Sequence, residues 1–89
     1  MPRVIRTVLG FEQMQARLAA YLRERVRRGE LTERGLGRMT GISQPHVHNV
    51  LKGKLYFSGE TADLVLIELG MDMLDLLEAE ELREWHRRQ

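Results

Sequence analysis

The chain contains no cysteine. A disulfide framework and thiolate metal sites are therefore excluded. It also lacks a long apolar run. The strongest one, Leu64 to Leu69, is interrupted by Glu68. Nothing in the sequence spans a bilayer, and the N-terminus carries no signal-peptide apolar region, so the cytoplasm is the expected location. Eighty-nine residues allow one small domain with a limited core, a size at which chains often rely on a partner subunit.

Net charge is also nearly absent, at +1, but that value hides an asymmetry. Residues 1–54 hold 11 Lys+Arg against 4 Asp+Glu, a balance of +7. Residues 55–89 hold 3 Lys+Arg against 9 Asp+Glu, a balance of −6. A basic half points toward nucleic acid; the alternative is two solvated faces of opposite sign.

Helical periodicity dominates. From Phe11, apolar residues recur at Met14, Leu18, Leu22 and Val26, one face of an amphipathic helix that should end at Gly29. Arg27 and Arg28 fall in its last turn, where cations suit the helix dipole. Thr32 is a candidate N-cap for a second, short helix that Gly41 stops. Ser43 is a candidate cap for a third, with Gln44 its first residue and Pro45 in the first turn, where a missing N–H does no harm. That helix runs to about Leu51 and ends at Gly53. A linker, Lys54–Gly59, leads to a fourth helix from about Glu60 to Leu69. Asp72 caps a fifth, which continues through Trp85 toward the end. Residues 1–10 differ: the β-branched, basic segment is a disordered arm or a short strand. Residues 11–89 read as a single all-α domain of about five helices.

The informative stretch is Leu31 to Lys54. A short helix, a glycine at the turn, a capping serine and a second short helix are the parts of a helix-turn-helix. Leu36, Ile42, Val47 and Val50 can converge between the two helices. That leaves Gln44, Pro45, His46, His48, Asn49 and Lys52 as the polar and exposed set.

In these residues the chain resembles the phage-repressor-like (lambda-repressor-like, Cro/cI or XRE) helix-turn-helix proteins. The matching positions are Leu31, Thr32, Leu36, Gly37 in the usual alanine place, Gly41-Ile42-Ser43-Gln44, Val47, Val50 and Gly53-Lys54. Ser58, Glu60-Thr61 and Leu69-Gly70-Met71-Asp72 extend the likeness, which covers roughly residues 11–77. Some positions depart from the pattern. Glu33 stands where a glutamine commonly bonds a DNA phosphate. Leu55, Tyr56 and Phe57 occupy places often filled by cations and proline, and Gly35 is unusual inside the second helix.

The resemblance implies a compact five-helix, sequence-specific DNA-binding domain, a repressor-like transcriptional regulator associated with the nucleoid. Its third helix would enter the major groove of double-stranded DNA. Gln44 suits a bidentate pair with adenine. Asn49 can do the same or anchor a phosphate. Pro45 would touch a thymine methyl, and His46 and His48 can donate to guanine N7 or to phosphate. Phosphate contacts fall to Thr32, Arg34, Ser43, Lys52 and Lys54, with Arg38 a weaker candidate. Arg3 and Arg6 are minor-groove candidates on the arm. His46 and His48 lie two apart with no third ligand nearby, so a metal site is not expected. No nucleophile or paired carboxylate accompanies them, so neither catalysis nor a cofactor is expected.

The acidic half would face away from DNA. In the fourth helix, Ala62, Val65, Leu66 and Leu69 form a core face, with Leu64 and Ile67 beyond it. Leu74, Leu77, Leu82 and Trp85 form another stripe. Either Trp85 folds back onto the first helix, or Leu64, Ile67, Leu82 and Trp85 make a homodimer interface, with Leu51 or Phe57 at its edge and residues 72–88 as the dimerisation helix. A two-fold dimer suits a near-palindromic operator. The competing reading is an antitoxin-like or adaptor module whose apolar helices bind another protein, such as a toxin.

Overall fold

The computed structural model describes residues 10–88, all helical or connecting, with no strand among them. The elements are α1 (Phe11–Arg27), α2 (Glu33–Thr40), α3 (Gln44–Leu51), α4 (Gly59–Leu69), a 3-10 turn (Met73–Leu76) and α5 (Ala79–Arg88). Residues 1–9, with Arg3 and Arg6, lie outside the described residues.

Short polar side chains start the helices. Thr32 Oγ1 accepts from the N–H of Gly35 at 2.9 Å, Ser43 Oγ from His46 at 3.3 Å, and Ser58 Oγ from Thr61 at 3.1 Å. Each satisfies a donor that the first helical turn leaves without a partner. Two glycines set the boundaries of α3. Gly41 adopts φ +78°, a left-handed conformation that a side chain disfavours, and its N–H bonds to the carbonyl of Gly37. Gly53, at φ +80°, closes α3: its N–H bonds to Val50, and that of Lys54 to Asn49. The paired bonds satisfy the last carbonyls of the helix.

The core gathers one face from each of the first four helices. Met14, Leu18 and Leu22 of α1 meet Leu36 of α2, Val47 and Val50 of α3, and Ala62, Val65 and Leu66 of α4. Ile42, in the turn, packs against this cluster half-buried. α2 lies against both α3 and α4, while α1 packs on α3 and on the 3-10 turn.

Two expectations need correction. The C-terminal segment is not one helix from Asp72. Asp72 and Asp75 form a reciprocal capping box on a single 3-10 turn, and Leu77 is extended, at φ −83° and ψ 144°. α5 then begins afresh. Two contacts accompany the break: the Arg17 guanidinium takes the Leu76 carbonyl at 3.0 Å, the carbonyl that a continuous helix would give to Glu80, and the Glu78 N–H donates to the Glu81 carboxylate at 2.9 Å. Arg17 also grips the Glu81 carboxylate, which ties α5 to α1. The second correction concerns Leu51 and Phe57. Both are buried in the core, so neither can edge a dimer interface.

Phe57 is held there by a residue that periodicity alone treats as polar surface. Gln15 is 2% exposed. Its Nε2 donates to the Phe57 carbonyl at 2.8 Å and its Oε1 accepts the Phe57 N–H at 3.1 Å. A buried stretch of loop needs such partners, because it has no ladder or helix to satisfy its backbone.

Candidate nucleic-acid interface

The α2–α3 pair presents the residues that the sequence singles out. Gln44 and Pro45 occupy the first turn of α3 and are exposed, as is His48 one turn on. His46 and Asn49 are half-buried, and Val47 between them is fully covered. Gln44 and His48, four apart, share one strip of the helix. The caps flank that strip. Thr32 and Ser43 each spend an acceptor lone pair on the backbone, which leaves the hydroxyl proton to donate outward. Arg34, Lys52 and Lys54 are exposed around the same pair of helices.

The cations divide into two sets. On α1 and at its C-cap they pair within the protein, Arg27 and Arg28 through exposed contacts. Arg17 bonds to Glu81 and Leu76, Arg23 to the Leu51 carbonyl, and Arg25 to Tyr21 and Glu30. Arg27 and Arg28 bond to Glu24. Arg27 holds the Glu24 carboxyl below its ordinary range. Arg34, Arg38, Lys52 and Lys54 have no carboxylate within ion-pair distance among the described residues. Among the described residues, the cations of the basic half without a carboxylate or carbonyl partner are therefore on α2, at the end of α3 and on the loop after it. The +7 of the basic half overstates the field that α1 contributes.

Glu33 behaves differently from a phosphate-binding glutamine. Its carboxylate lies 3.0 Å from Nδ1 of His48 and joins the first turn of α2 to the middle of α3. Nothing in the spacing of two residues fifteen apart announces this pair; only the crossing of the two helices brings them together. Gly37 makes a close approach in the same region. A Cβ on it would stand 3.0 Å from the carbonyl of Ile42, so the turn packs down tightly against the glycine.

The exposed parts of α4 and α5 are apolar and acidic. Ile67 is 71% exposed and Leu64 42%. A shallow hollow beside Ile67 is lined by Asp63, Leu66, Met71, Asp72 and Leu74. Leu82 is half-buried, Trp85 is 38% exposed with its ring edge-on to His86, and no residue of α5 is fully covered. Phe11 and Tyr56, both exposed, meet edge-to-face at 6.2 Å on the far end of α1.

Among the described residues, no group of three or more His, Asp or Glu is placed to hold a metal ion, and no helix is long and apolar enough to cross a membrane. Comparison with protein-family models, with curated proteins and with solved structures gives no match.

Proposed function

We propose that the chain is a sequence-specific DNA-binding protein, a repressor-like transcriptional regulator, in which α2, the Gly41–Ser43 turn and α3 act as a helix-turn-helix. The observation that carries this reading is the division of the cations. Those of α1 are bonded internally, and those around α3 are free to meet phosphates. α3 lies in the major groove. Gln44 and Pro45 reach base edges from its first turn, with His46, His48 and Asn49 behind them. A bidentate Gln44–adenine pair is worth about 1–3 kcal/mol of discrimination. Thr32 and Ser43 donate their hydroxyls to phosphates, and Arg34, Lys52 and Lys54 neutralise them. Selection from a random duplex library at modest salt tests the reading. Enrichment of a site supports it, and failure of folded protein to enrich any sequence refutes it.

The same reading makes the chain a homodimer through Leu64, Ile67, Leu82 and Trp85. Two recognition helices about 34–36 Å apart then face successive major grooves of a near-palindromic site. A second reading draws on the same surface: an exposed Ile67 beside an apolar hollow suits a protein partner, as in an antitoxin-like or adaptor module. Size-exclusion with light scattering separates them. Twice the chain mass supports the homodimer; a clean monomer leaves the surface to a different protein.

A further inference from the structure

We infer that Glu33 fixes the tautomer of His48 and so decides which base edges His48 reads. The inference rests on the DNA-binding reading of α3. An ionised carboxylate carries lone pairs and no proton, so the 3.0 Å contact between Glu33 Oε2 and His48 Nδ1 needs its proton on Nδ1. In a neutral imidazole the other nitrogen then presents a lone pair. Nε2 of His48 has no hydrogen-bond partner among the described residues. The imidazole is the outward member of the pair, with 49% of its side chain exposed against 26% for Glu33.

This makes His48 an acceptor on the strip that it shares with Gln44. In the major groove an acceptor pairs with the amino group of cytosine N4 or adenine N6. Guanine N7 and O6 offer it nothing, because both only accept. A free neutral imidazole favours the proton on Nε2 and would read guanine instead. Glu33 is thus a positioning residue. The carboxylate keeps its negative charge in this pair, and in the first turn of α2 that charge suits the helix dipole. A single neutral hydrogen bond gives about 2–10-fold selection at one base pair.

Two measurements on the full chain test this. Long-range 1H–15N NMR of the DNA-free protein is recorded at about pH 8, where an ordinary imidazole is neutral. The expected spectrum has a protonated Nδ1 and a bare Nε2 at His48, and Glu33→Ala moves the proton to Nε2. Glu33→Gln, which keeps the shape and can donate as well as accept, weakens the same preference and serves if the alanine variant folds poorly. Duplex selection should then show cytosine or adenine at one position, lost or replaced by guanine in the Glu33 variants. A protonated Nε2 in the parent overturns the proposal, as does a selection profile that the Glu33 variants leave unchanged. If the spectrum is as expected and no sequence is enriched, the DNA-binding reading has failed. The tautomer assignment then stands, and the base-reading role falls with the DNA-binding reading.

Discussion

Replacing Gln15 by alanine should be among the most damaging single changes in the protein. Both polar ends of the Gln15 amide are bonded to the backbone of Phe57, and both residues are 2% exposed. The substitution therefore leaves a buried N–H and a buried carbonyl without partners. Each such group costs about 1–3 kcal/mol, so the loss is about 2–6 kcal/mol before any cavity is counted. A chain of this length has about 4–13 kcal/mol of stability in total. The melting temperature should fall by at least about 8 °C. Urea unfolding followed by circular dichroism measures the loss. Gln15→Leu separates bonding from packing, because it fills the space and cannot bond. If Gln15→Leu unfolds within about 0.5 kcal/mol of the parent, the bonds to Phe57 do not hold the loop, and the reasoning is wrong.

Arg17 bonds to the Glu81 carboxylate and holds its pKa down to about 2, so the link of α5 to α1 is intact above the ordinary carboxylate range and fades as pH falls through it toward 2. The protection of α5 amides against hydrogen exchange, taken relative to the intrinsic rate at each pH, should fall over that window, and Glu81→Gln should reduce that fall. Gln44→Ala should relax specificity at one base position, while Lys52→Ala should weaken all sequences alike and lower the salt slope by about 1, both read by fluorescence anisotropy. On the homodimer reading, Ile67→Glu should give a folded monomer in sedimentation, since Ile67 is 71% exposed within one chain and its change leaves the core intact.

Much of the helical framework is legible in the sequence because its signals are local. Thr32 and Ser43 cap the helices that they precede, Gly41 and Gly53 end them, and the 3–4 spacing of Met14, Leu18 and Leu22 marks the buried face of α1. The exposure of Gln44, Pro45 and His48 follows by subtraction once Val47 and Val50 are assigned to the core, whereas His46 and Asn49, expected to be exposed, are half-buried. What escapes is decided by contacts distant in sequence. Leu74, Leu77, Leu82 and Trp85 keep a spacing compatible with one helix, and only Arg17, 59 residues before Leu76, takes the carbonyl whose capture accompanies the break. Gln15 reads as polar surface because its partner is a backbone loop 42 residues away. Phe57 reads as spare apolar surface for the same reason. The charge asymmetry is visible in composition, but which arginines are engaged depends on Glu24, Glu30, Glu81 and the Leu51 carbonyl.

On the proposed reading α3 and its neighbouring cations, rather than the arginines of α1, meet DNA. Titration of 15N-labelled protein with a short random-sequence duplex at low salt tests this directly, because nonspecific binding already uses the phosphate-contacting face. Amide shifts should concentrate at Thr32–Arg34, Ser43–Asn49 and Lys52–Lys54, and spare α4 and α5. Shifts centred on Arg23–Arg28, or none at all on α3, would contradict the account.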